Sequence, residues 1–238
     1  MTDDRSRRAL QHRLGDEFGD ADIAARITAA IADDTIDRLV ERTGGDIAGS
    51  DLLSYRAPRI VADRVDSLWV LAFGYRLATH RAPIQAGEIP PMTELEPGPV
   101  NEALAHAAAA FVADHPVPVV AQWEVARVLH DLGITDAISV EPDQASDGSI
   151  VYLSTAGVID KGLRLAREAG VGIGFAGVIG HADHARRCVL TATAAGLDAA
   201  VPDGIRLPPD YDPESGQPWT RSRVDFIPVD LLARSLTA

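Results

Sequence analysis

The stretch Val178-Ile179-Gly180-His181-Ala182-Asp183-His184-Ala185-Arg186-Arg187-Cys188 decides the reading of this chain. An apolar, glycine-rich run from Val171 to Gly180 stops at a cluster of imidazole, carboxylate and guanidinium groups. The spacing after it predicts a helix from Asp183 to Ala195. A buried strand that delivers polar groups at its carboxyl end is the pattern of a ligand site in an open α/β sheet.

Working outward, the same alternation recurs. Strands are expected at Ser67–Phe73, Val117–Ala121, Ala137–Glu141 and Leu197–Val201, and helices at Glu102–Asp114, Glu124–Leu132 and from Ser154 or Thr155 to Glu168. Helices between strands at this spacing predict an α/β fold with a Rossmann-like, mostly parallel sheet covered by helices on both faces. Residues 6 to 43 carry spaced apolar positions, among them Ile23, Ile27, Ile31, Ile36 and Leu39. They predict two or three amphipathic helices, with Asp20 and Asp33 or Asp34 as N-caps. The expected division is an N-terminal helical segment, residues 1–60, packed on an α/β domain of residues 61–238. Leu77 to Pro99 is expected to be a long irregular segment and a candidate lid, Pro202 to Arg223 another loop, and Val229 to Leu236 a closing helix.

Composition narrows the function. The 238 residues carry 22 Lys plus Arg against 35 Asp plus Glu, a net charge of −13, which argues against nucleic acid or an anionic membrane as a partner. One cysteine, Cys188, excludes an internal disulfide framework and a cysteine-rich zinc site. No apolar run approaches a membrane span, and no signal-peptide core follows the charged N-terminus, so a cytoplasmic protein is expected.

Parallel strands would bring four polar exits to one edge: Gly74 with Arg76, Gln122 with Glu124, Glu141 with Asp143, and His181 with Asp183 and His184. The bland alternative at each is a solvated loop. Imidazole and carboxylate suit a metal, but His181 and His184 share a helical face only if the helix begins at His181, so no metal is assigned. A histidine here more often serves as an acid or base. Arg186 and Arg187 fall in a first helical turn, where free N–H groups favour anions; a bound phosphate, carboxylate or sulfonate would account for them, and so would a salt bridge. Cys188 carries no flanking sequence of an activated thiol. The dinucleotide fingerprint, the P-loop and the Gly-x-Ser-x-Gly elbow are absent, which weakens NAD, ATP and serine-hydrolase readings.

Several of these residues resemble the YdcF-like proteins, grouped with SanA and ElyC. The match lies in His184-Ala-Arg-Arg187-Cys188, then Gly196 and Val201-Pro202, in Val119-Val-Ala-Gln-Trp-Glu124 through Leu129, Gly133 and Ile134, and in Glu141; it covers roughly Asp66 to Pro202. Ala121-Gln122 replaces the family's glycine pair, and its Thr-x-Glu-Asn element is missing from Asp147 to Tyr152. The resemblance implies a Rossmann-like fold and S-adenosylmethionine as a candidate ligand. The combined expectation is a transferase or hydrolase for a small anionic or nucleotide-like ligand. His184, Glu124 and His181 are its catalytic candidates, and Arg187, Glu141, Arg76, Gln122, Asp183 and Gly74 its ligand-binding ones. The alternatives are a non-enzymatic small-molecule sensor with the same pocket and an assembly protein that forms a homo-oligomer through its N-terminal helices.

Overall fold

The computed structural model describes residues 4–78, 91–144 and 150–236. Three helices open the chain: α1 (Asp4–Phe18), α2 (Ala21–Ala30) and α3 (Asp33–Arg42). Then come β1 (Arg59–Ile60), β2 (Ser67–Val70), β3 (Arg76–Leu77), β4 (Leu95–Glu96), α4 (Pro99–Asp114), β5 (Val119–Gln122) and α5 (Trp123–Asp131). They are followed by β6 (Ile138–Val140), β7 (Asp143–Gln144), β8 (Ile150–Val151), α6 (Thr155–Glu168), β9 (Phe175–Ile179), α7 (Ala185–Ala194), β10 (Asp198–Pro202) and α8 (Arg223–Leu236).

The chain forms two compact units, one of Met1–Arg56 with Pro218–Ala238 and one of Ala57–Gln217. The C-terminal helix, assigned by sequence to the α/β domain, therefore clusters with the N-terminal helices. It also begins six residues before the expected Val229, at Arg223, and runs through Pro228. Within this helical unit Asp20 caps α2 by accepting from the Ile23 N–H. The N-cap of α3 is Ala32, without a side-chain bond, so Asp33 and Asp34 act in its first turn, where negative charge meets the positive end of the helix dipole.

In the α/β unit, six strands form one parallel sheet in the order β1-β10-β9-β2-β5-β6. From β2 the chain steps outward to β5 and β6, then returns across β2 to lay down β9 and β10. The order thus reverses between β2 and β9, and in an open α/β sheet the crevice outside such a switch point is where ligands bind. The four residues of β2 are all buried, as a strand covered on both faces requires. Trp69, Leu71, Val120, Val140 and Val178 pack with Ile159 and Leu163 of α6 and Val189 of α7. Packed together, α4 and α5 form a pair, and α4 also meets β2 and β9.

The register is informative. Val70 pairs with Ile179, and the Leu71 N–H donates to the Ile179 carbonyl at 2.9 Å. Two residues further on, Phe73 and His181 leave the sheet level with each other. The expected lid, Leu77 to Pro99, lies in part outside the described residues; its described ends hold the short antiparallel pair β3 and β4.

Candidate functional site

The exits of β2 and β9 meet in a buried aromatic cluster. The Phe73 ring stacks on His181 with centroids 4.1 Å apart, and Tyr211 sets its edge against both rings. Both nitrogens of His181 are engaged. Its Nδ1 accepts from the Asp183 N–H at 3.3 Å, and its Nε2 stands 3.2 Å from the Asp210 carbonyl. Only the neutral tautomer with the proton on Nε2 satisfies both. His181 is therefore held in place through both ring nitrogens.

Asp183 accepts from the Tyr211 hydroxyl at 2.6 Å, so it anchors the loop that follows β10. The Ala182 N–H donates to Pro208 in the same loop. The helix starts later than its spacing suggested: the N–H groups of His184 and Ala185 both donate to the His181 carbonyl, and His184 is the N-cap of α7. His184 is buried, with its ring 6.0 Å from Phe73. Arg187, in the first turn of α7, is half-buried and donates from Nη1 to the Thr155 hydroxyl at the start of α6, 3.1 Å away. Among the described residues no three His, Cys, Asp or Glu side chains gather as a metal site.

Around β2 the exit is built from side-chain bonds to backbone. Gly74, at φ +75°, makes a turn that other residues rarely adopt, and its carbonyl accepts from Asn101 Nδ2. Asn101 Oδ1 takes the Phe73 N–H at 2.9 Å. Gly74 thus turns the chain, with its carbonyl turned to Asn101. Arg76 is held by two carboxylates, Asp212 and Glu214, each at 2.8 Å. Its positive charge is already matched, so it ties β3 to the loop after β10.

The β5 exit differs in kind. Gln122 Oε1 accepts from the Ala72 N–H at 3.2 Å, while its Nε2 faces the Glu124 carboxyl. Glu124, in the first turn of α5, is fully buried, and its Oε1 accepts from the Tyr152 hydroxyl. Burial pushes this carboxyl up to about 8, against the opposing hydrogen bonds from Tyr152 and its own N–H. Burial and the neighbouring Glu124 charge also raise the Tyr152 phenol. A carboxyl poised near neutral pH beside a switch point has the properties of an acid or base. Glu141, by contrast, is exposed at the β6 exit and accepts from Ser139 at 2.7 Å.

The chain matches no family model, no curated protein and no solved structure. What the site can do rests on its own geometry. The structure gathers His181, Asp183 and His184 with Phe73 and Tyr211, and gathers Gln122 and Glu124 with Tyr152; Arg76, Arg187 and Glu141 each have separate neighbours. Tyr152, Tyr211, Asn101 and Asp212 were not singled out as site residues from sequence. Their partners lie 27 to 136 residues away, beyond any local spacing rule.

Among the described residues, no helix is long and apolar enough to cross a membrane.

Proposed function

We propose that this chain is an enzyme, a transferase or hydrolase, that binds a small anionic or nucleotide-like ligand where β2, β5 and β9 leave the sheet. The observation that carries the reading is the strand order, whose reversal lies between the exits bearing Phe73 and His181. The acid or base candidates at this edge are His184 on β9's side and Glu124 on β5's. Arg187, at the start of α7, supplies the positive charge, and the positive end of that helix dipole favours the same anion. S-adenosylmethionine enters as a candidate ligand through the YdcF-like resemblance.

Calorimetry with nucleotides, S-adenosylmethionine and sugar phosphates tests this. One of them binds the native protein, and His184→Ala and Arg187→Ala abolish that binding while circular dichroism is unchanged. Full affinity in both variants would sink the assignment. Recovery of a bound ligand chemically unchanged would replace the enzyme with a sensor.

A further inference from the structure

The chain lays one of its own rings across the switch point. From Asp203 to Gln217 it forms neither helix nor strand, and Pro208, Pro209 and Pro213 withhold backbone N–H groups from any ladder. Both ends of this segment are fixed. At its start, Arg59 Nη1 donates to the carbonyls of Pro202 and Ile205, and Leu207 rests against the core. At its end, the Gly216 N–H donates to the Tyr75 carbonyl at 2.7 Å, and the Ser215 hydroxyl donates to the same oxygen. Pro208 to Glu214 form an arch between these anchors, with Pro209, Asp210, Pro213 and Glu214 exposed.

The arch meets the β9 exit through polar contacts and a ring. The Tyr211 hydroxyl donates to Asp183 Oδ2 at 2.6 Å, His181 Nε2–H to the Asp210 carbonyl at 3.2 Å, and the Ala182 N–H to the Pro208 carbonyl at 2.9 Å. The Tyr211 ring sets its edge against His181 and Phe73, with centroids 4.5 and 5.5 Å away. Tyr211 is half-buried and borders solvent, whereas His181 and Asp183 are buried. Lifting the arch between its anchors therefore opens this place to solvent and leaves the sheet intact. It uncovers an aromatic wall, a carboxylate that accepts and an imidazole N–H that donates. What fits there is what the arch now presents: a planar ring with a donor, and an acceptor beside it.

We propose that Tyr211 and Asp210 hold the place of the ligand's own ring, a nucleobase-like heterocycle with an N–H donor for Asp183 and an acceptor for His181, and that the ligand enters by displacing the arch. The proposal rests on the strand exits being the ligand site, and it adds which part of a nucleotide-like ligand lies against Phe73 and His181. The arch is then an autoinhibitory contact, and apparent affinity is reduced by the fraction of molecules in which it is lifted. Asp212, held by Arg76 at 2.8 and 2.9 Å, biases that fraction as a pin of the arch.

Amide hydrogen exchange of the full chain without ligand tests the arch. The Ala182 amide, bonded to Pro208, is expected to be protected at least about tenfold less than the Leu71 amide, bonded to Ile179 in the sheet. Equal protection would mean that the arch opens only when the sheet does, and overturns the proposal. Calorimetry with adenosine 5′-monophosphate tests the ring. Tyr211→Ala and Asp212→Asn should each bind it about tenfold more tightly than the wild type. Purine riboside 5′-monophosphate, which lacks the amino donor, should bind Tyr211→Ala more weakly than adenosine 5′-monophosphate does; equal binding removes the Asp183 contact. If Tyr211→Ala fails to fold, Tyr211→Phe, which loses only the hydroxyl, shows the same gain in smaller measure. Unchanged or weaker binding in these variants, as a tyrosine that itself stacks on the ligand would give, overturns the proposal and leaves the strand-exit reading standing. Binding of sugar phosphates without adenosine 5′-monophosphate does the same, and binding of neither sinks both.

Discussion

Phe73 and His181 stack nearly face to face, with ring centroids 4.1 Å apart and planes 12° from parallel. They stand level because β2 and β9 pair in parallel register, so the stack closes the switch point of the sheet. A phenyl ring against an imidazole locked in its neutral tautomer makes this part of the edge a rigid wall. Removing the ring opens a hole beneath His181. Phe73→Ala is expected to destabilise the protein by about 3–5 kcal/mol, as buried Phe to Ala changes do, whereas Phe73→Leu keeps most of the volume and costs less. Urea midpoints with unchanged slopes check this.

Stability should depend on pH through Glu124. Its folded value, about 8, lies above its ordinary value of 4.5, so between those values the native state binds more protons than the unfolded state. The contribution is complete below the unfolded value and is lost progressively as pH rises to about 8. Glu124→Gln lacks this dependence. The difference in unfolding free energy between wild type and variant, measured by urea at half-unit steps from pH 4 to 9, should therefore move steadily against the wild type and level off at the top. A flat difference would mean that Glu124 is ionised in the native state.

Gly162 sits inside α6, where alanine normally gains about 1 kcal/mol in helix propensity. A Cβ at this position would lie 2.7 Å from Cζ3 of the buried Trp69 and 3.1 Å from Val120. Overpacking of a filled core costs about 1–3 kcal/mol and outweighs the gain. Gly162→Ala should thus lower the melting temperature, and a rise would show that Trp69 can yield.

In the helical unit, Arg234 donates to the carbonyls of Leu52 and Ser54 and lies 2.7 Å from the fully buried Asp230. Arg234→Ala removes the guanidinium from that buried carboxylate, a loss of about 3–5 kcal/mol for a broken buried pair. Arg234→Lys keeps the charge without the planar fork and should recover only part of it. Limited proteolysis near residues 50 to 56 reads the effect directly.

Most of the fold was legible in the sequence because it is written in local periodicity. The apolar run ending at Ile179, the helix stops at Gly133 and Gly170, both at positive φ, and the cap at Ser154 all depend on neighbours within a few residues. The polar exits were legible for the same reason: Gln122, Glu124, His181 and His184 each interrupt an apolar run.

Their chemistry was not. His181 reads as an acid or base candidate, and only the fold shows its two nitrogens at Asp183 and Asp210. Arg76 reads as a ligand-binding candidate, and only the fold shows that Asp212, 136 residues on, pairs with it. The boundary at residue 60 missed that α8 joins the first three helices, since apolar faces on α2 and α8 find each other only in three dimensions.

The stretch from Val178 to Cys188 by itself determined that a buried strand ends in imidazoles and a helix start, because backbone pleat and helical pitch are local. Only the tertiary structure decided that β9 lies beside β2, that Phe73 covers His181, and that Glu124 is buried against Tyr152. Those outcomes depend on which surfaces exclude water together, a property of the folded whole that no spacing along the chain encodes.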